Sequence, residues 1–146
     1  MKITRKVTRV KLQIDQINDF VLLGLVSSEP DYKLSLALNK KFGISLRNNS
    51  PVKIEGDNGT EQLFSKFSDS SESPDRIFNL VTNRSGNQFL IRKLVNIDFL
   101  FHIHDPELIN DIPLLTSGLR EISSITAVFS IDLDSIKDKN LHFVIQ

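Results

Sequence analysis

Apolar residues along this chain follow two rhythms, one of three to four residues and one of two. Between Glu29 and Phe42, Leu34, Ala37, Leu38 and Phe42 recur at helical spacing and form one apolar stripe, which predicts a helix over about 29–42. Its start is marked by Ser28, whose hydroxyl suits the free N–H groups of a first turn, with Asp31 as the returning half of a capping box. Glu29 and Asp31 place negative charge at the positive end of the helix, and Pro30 suits a first turn, where its missing N–H has no partner to lose. Lys40 and Lys41 suit the other end, and Gly43 can adopt the left-handed stop conformation. A second stripe, Ile112, Leu115, Leu119 and Ile122, predicts a helix over about 112–122. Asp111 can cap it, and Pro113 is tolerated because it falls in the first turn. A helical turn at Pro106–Ile109 would have to kink away from it.

The two-residue rhythm predicts strands. Val7–Ile14 alternates Val10, Leu12 and Ile14 with Arg9, Lys11 and Gln13. Ile97–Ile103 turns Ile97, Phe99, Phe101 and Ile103 inward, and Ile125–Leu133 does the same with Ile125, Ala127, Phe129, Ile131 and Leu133. Alternation of this kind implies one wet face, hence an antiparallel sheet. Between them lie short apolar pieces at Ile44–Leu46, Val52–Ile54, Leu63–Phe67 and Ile77–Thr82. Asn48–Pro51, Gly56-Asp57-Asn58-Gly59 and Asn83–Asn87 read as turns, the second being the strongest hairpin signal in the chain. The Ser-rich, acidic run Ser68–Asp75 reads as a solvated surface loop, and Leu141–Ile145 as a short terminal strand. Phe20–Val26 is apolar throughout, so periodicity does not choose between a short buried helix and a buried central strand. The whole is a single α+β domain over 1–146, a mainly antiparallel sheet of about five to seven strands with the 29–42 and 112–122 helices packed on one face.

Several stretches carry a family resemblance. They are Gly24-Leu25-x-Ser27, Asp31-Tyr32-Lys33-Leu34, Ala37-Leu38-Asn39-Lys40, Ile91–Phe99 and Ala127-Val128-Phe129-x-Ile131-Asp132. Taken in order, they resemble the IPExxxVDY family of small bacterial proteins over most of the chain. In the segment matching the name-giving motif, Ile91 and Asp98 agree, and Ile97 and Phe99 are conservative replacements. Arg92 and Lys93 stand where the family has Pro and Glu, which removes a rigid turn residue and inverts a charge. The resemblance implies a fold and a lineage rather than a reaction.

Composition narrows the chemistry. Eighteen basic and eighteen acidic side chains cancel in this 146-residue chain, so net charge gives no general attraction to nucleic acid or an anionic membrane. The absence of Cys excludes a disulfide framework, a thiol nucleophile and thiolate metal sites. Phe20–Val26 is too short to span a bilayer and too deep for a signal peptide, so a cytoplasmic setting is expected.

Three groups of residues remain as candidate sites. His102 and His104 share one side of a strand with Asp98, and two neutral imidazoles with a carboxylate can hold a divalent metal. The pattern is distantly similar to the His-x-His-x-Asp-His signature of metallo-β-lactamase-like hydrolases, but Asp105 follows His104 directly and no further His follows it. The third histidine, His142, lies far off in sequence. Arg5, Lys6, Arg9 and Lys11 form the one dense basic run, a phosphate-contacting patch if the protein binds RNA, though no aromatic residue beside it could stack a base. Tyr32, Leu36 and Asn39 cluster opposite the apolar stripe of the first helix, as a partner surface would. No Gly-x-Ser-x-Gly elbow, phosphate-cradling loop or dinucleotide fingerprint occurs. The expected function is that of a non-enzymatic, cofactor-free cytoplasmic binding or regulatory protein acting through protein contacts, as a homodimer. A metal-dependent enzyme at His102, His104 and Asp98 and an RNA-binding module are the alternatives.

Overall fold

In the computed structural model, residues 20–56, 59–73 and 76–145 are described. The expected strand Val7–Ile14 and the basic run Arg5–Lys11 lie outside them. Strand β1 (Val21–Ser27) is followed by helix α1 (Asp31–Phe42), then β2 (Arg47–Glu55), β3 (Glu61–Ser73) and β4 (Arg76–Thr82). A small hairpin, β5 (Arg84–Ser85) and β6 (Gln88–Phe89), precedes β7 (Phe99–His104). Helical turn α2 (Pro106–Ile109), helix α3 (Ile112–Arg120), β8 (Ile125–Ser130) and the short helices α4 (Leu133–Ile136) and α5 (Leu141–Ile145) complete the order. Six strands form one sheet in the order β2-β3-β4-β7-β1-β8, each pair antiparallel. The fold is α+β, and among the described residues no helix is long and apolar enough to cross a membrane.

The ambiguous run Phe20–Val26 resolves as strand. β1 lies between β7 and β8, and apolar packing meets both of its faces, which is why it shows no alternation. Leu23 and Leu25 belong to one apolar cluster with Phe67, Leu80, Phe99 and Phe101, to which α1 contributes Leu34 and Leu38 and α3 contributes Leu115 and Leu119. Leu22 belongs to a second cluster with Val81, Leu90, Ile91, Ile97 and Leu100, joined by Ile136 of α4 and Val144 of α5. The expected wet face is therefore largely a second interior.

The helix ends show which local signals operate. Helix α1 begins after Pro30, whose carbonyl accepts from Lys33 N and Leu34 N, both at 3.1 Å. The Ser28–Asp31 capping box does not form; Ser27 Oγ instead accepts from Glu29 N at 3.2 Å, and Asp31 Oδ1 from Tyr32 N. The stop follows expectation, with Gly43 at φ 65° and its N–H on Asn39 O. In α3, Asp111 Oδ1 accepts from Leu114 N, as expected of a cap.

Four further expectations change. The run Ser68–Asp75 is not a loop, since β3 extends to Ser73 between β2 and β4. Asp69 Oδ2 there accepts from Ser45 N at 2.8 Å, so a buried carboxylate is hydrogen-bonded rather than exposed. Leu141–Ile145 is helical, not a strand. β8 ends at Ser130, and Leu133 starts α4. Within β8 the register slips, Val26 facing Ala127 and Ser27 facing Ile125, so one residue, Thr126, is left over. The bulge reverses the phase of alternation: Ile125 and Val128 enter the first cluster, whereas Phe129 falls opposite Gly24 and stays 48% exposed.

Candidate functional site

Register brings the polar residues of the second face into line. Ser68, Asn79, His102 and Leu22 sit directly opposite one another on β3, β4, β7 and β1. Ser68 Oγ donates to Asn79 Oδ1 at 2.6 Å, and the Asn79 amide, oriented by that bond, donates to His102 Nδ1 at 3.0 Å. The ring of Phe20 meets the imidazole edge-on, with centroids 4.9 Å apart. His102 is only 4% exposed, and burial, followed by the charges of His104 and Lys66, pushes its pKa down to about 4. Lys66, also buried, donates from Nζ to Phe143 O at 3.0 Å and so ties α5 to the sheet. Its own pKa is lowered by burial.

The three residues read as a metal triad separate. His104 stands one strand step beyond His102, half-buried and opposite Ile77. Asp98 precedes β7, four residues from His102, which is about 13 Å along an extended chain. Its Oδ2 accepts from Ser27 N at 3.0 Å, and Oδ1 lies 3.7 Å from the Arg84 guanidinium. With Asp98 held at the other end of the strand and Nδ1 of His102 accepting from Asn79, the three do not converge. Among the described residues no group of three or more His, Asp or Glu is placed to hold a metal ion. His142 is exposed on α5, its Nδ1 at 2.6 Å from Lys139 O.

The residues proposed as a partner surface divide by role. Tyr32 and Leu36, one turn apart on α1, are 54% and 63% exposed. Asn39 is engaged within the fold, for its Oδ1 accepts from Leu46 N at 2.7 Å and its Nδ2 donates to Leu46 O at 3.2 Å. It splints the return from α1 to β2.

Among the clefts on the second side of the sheet, two adjoin residues 92–97. One, of about 370 Å³, is apolar and runs beside β8, between Leu94, Val95, Ile97, Phe129, Ile131 and Ile136. The other, of about 530 Å³, lies between the β2–β3 hairpin and residues 137–140, with Arg92, Lys137 and Lys139 set against Glu55 and Asp138. Lys137 lies at φ 47° and ψ 45°, a left-handed conformation that ends α4. A side chain with a Cβ holds that conformation at a cost of about 1 kcal/mol. Lys137→Gly is expected to raise stability by about 0.5–1 kcal/mol in chemical denaturation, net of the entropy that glycine adds to the unfolded chain.

No sequence signal marks Asn83, which is fully buried. Its Nδ2 donates to Leu94 O at 2.8 Å and Ile97 O at 3.0 Å, while Oδ1 accepts from Ile91 N at 2.9 Å. One amide thus holds the 90–97 segment on the sheet, and that segment forms walls of both clefts. No family model matches the chain, and neither does any curated protein or solved structure.

Proposed function

We propose that the protein works through protein contacts rather than by catalysis, and that the outer face of α1 is a contact between two copies of the chain. The observation that carries this is the exposure of Tyr32 and Leu36 on adjacent turns of a helix whose opposite side is packed on the core. An aromatic residue with a polar tip beside a leucine suits a surface that is alternately wet and covered. Charge favours self-association. α1 has Asp31 in its first turn and Lys40 in its last, so two copies crossing antiparallel at Leu36 bring opposite charges together. A contact centred on one helix stands at the small end of specific interfaces, so association is expected to be weak and reversible. Leu36→Glu puts a carboxylate at the symmetry axis of that contact. Sedimentation equilibrium is expected to show a concentration-dependent dimer for the wild type and a monomer for Leu36→Glu. A wild-type monomer at millimolar concentration would remove the proposal.

Supporting the non-catalytic part is the engagement of the polar groups on the second face, where Ser68, Asn79, His102 and Lys66 all bond within the fold. The longer helices, α1 and α3, lie over one face of the sheet in this reading, which their shared cluster around Phe101 favours. A cytoplasmic setting belongs to the same reading, favoured by a chain without a single cysteine. The family resemblance belongs to it too, and its separated pieces meet in space. Ile97 Cδ1 lies 2.8 Å from where a Cβ on Gly24 would stand, and Ser27 N donates to Asp98.

A further inference from the structure

The cleft of about 530 Å³ is bounded by two parts of the chain that lie far apart in sequence. On one side stands the β2–β3 hairpin, where Ile54 faces Gln62 across the register. On the other stands the turn from α4 to α5, residues 137–140. That turn is fixed from within. Asp138 Oδ1 accepts from Asn140 N at 2.8 Å, and Asn140 Nδ2 donates to Leu90 O at 2.9 Å. Phe89, half-buried at the cleft, has the Arg84 guanidinium over its ring, 5.3 Å from the centroid. The volume falls within the range of small-molecule sites. The walls carry three cations, Arg92, Lys137 and Lys139, and two carboxylates, Glu55 and Asp138, so among the described residues one positive charge is in excess.

We propose that this cleft binds a small organic monocarboxylate, with its charged end on Lys137, Lys139 and Arg92 and its apolar body against Ile54 and Phe89. A concave site with a net charge gathers ions of the opposite sign. One negative charge neutralises the excess, whereas a dianion overshoots it and meets Glu55 and Asp138. The backbone of Lys137 supports a use for its side chain. Among the described residues it is the one non-glycine residue with a positive φ, and glycine would hold that conformation at less cost. A lysine kept there at a loss of stability is expected where its side chain makes a contact that glycine cannot. None of these residues belongs to the α1 contact, so the two proposals are tested independently.

Phenylacetate serves as the probe, and phenylacetamide, of the same shape without the charge, as its control. Titration of the full-length protein at millimolar concentration, followed by proton–nitrogen NMR, is expected to move the side-chain amide signals of Gln62, Gln88 and Asn140, which line the cleft. The signal of Asn39, which is bonded to Leu46, is expected to stay in place. Phenylacetamide is expected to bind at least about tenfold more weakly, since only the acid answers the cations. Phenyl phosphate, a dianion, is expected to bind no more tightly than phenylacetate. Lys137→Gly relieves the backbone and so keeps the fold; it is expected to weaken phenylacetate by about threefold and to leave phenylacetamide unchanged. Lys33→Gln makes the same change in net charge on α1 and is expected to alter neither affinity. Cleft signals that do not move, equal affinities for acid and amide, or a preference for phenyl phosphate would each overturn the proposal. So would indifference to Lys137→Gly, or an equal weakening by Lys33→Gln.

Discussion

Asn83→Ala is expected to destabilise the protein by about 3–5 kcal/mol, since each buried group left unpaired costs about 1–3 kcal/mol. Two such groups lose their partner, Ile91 N–H and the carbonyl of Ile97, while the carbonyl of Leu94 loses one bond and keeps the one from Ile97 N. Neither of the two has water at hand, because Leu90, Ile91 and Ile97 are buried around the same amide. The loss also loosens the Leu90–Ile97 cover on the second cluster, so urea denaturation is expected to show a lower midpoint. Asn83→Asp retains an acceptor for Ile91 N–H but turns a carboxylate towards two carbonyl oxygens. It is expected to be at least as damaging at neutral pH and to recover in part on acidification. A loss below about 1 kcal/mol for Asn83→Ala would mean that the segment is held by its apolar side chains alone.

The second large effect is on the pH dependence of stability. His102 has a folded pKa of about 4 against an ordinary value of 6.5, chiefly because it is buried and then because of the charges of His104 on its own strand and Lys66 on β3. A depressed histidine pKa means that the unfolded chain takes up the proton first. Stability from this group is therefore complete above about pH 6.5, declines as pH falls and is gone near pH 4. At about 1.4 kcal/mol per pH unit, the decline amounts to about 3 kcal/mol. The hydrogen bonds give it a mechanism. Asn79 donates to Nδ1, so a proton arriving there meets the NH2 group that now points at it, and the amide can turn round only by breaking its bond with Ser68. His102→Gln keeps a polar side chain on the row but cannot be charged. Between pH 6.5 and 4 its stability is expected to fall by about 3 kcal/mol less than that of the wild type, carboxylate contributions being common to both. Parallel curves for the two proteins would place His102 in water.

What could be read from residues alone follows from what each element faces. Helices α1 and α3 are amphipathic, and Leu34, Leu38, Leu115 and Leu119 keep their spacing because each helix has one wet side. Where both sides are buried the pattern disappears, and β1 gave no period for that reason. Composition misled at Ser68–Ser73, because backbone pairing to β2 and β4 holds a strand whose polar side chains find Asn79 and Ser45. At β8 the period was real but its phase was not, since the bulge at Thr126 sends Phe129 to the other face.

The candidate sites were harder to read, for a geometric reason. Ser68, Asn79 and His102 are 11 and 23 residues apart and become a row only through the register of three strands. Two histidines next-but-one in sequence attract attention, yet their shared side of the strand is an interior, where a neutral imidazole bonded to an amide is a packing element. Asn83 sits at the head of a turn-like sequence and gives no sign of the backbone groups that it collects. Tyr32 and Leu36 were visible from helical spacing because that spacing also tells which side is left over.

The account depends on the row around His102 on the second face of the sheet being closed and dry, with contacts made on the outside of the molecule. The titration of the His102 ring in the intact protein, followed by proton–carbon NMR and assigned by comparison with His102→Gln, tests this directly. The predicted midpoint is about 4, unchanged by equimolar zinc. A midpoint at or above 6.5, or a shift of the His102 and His104 resonances together when zinc is added, would contradict it.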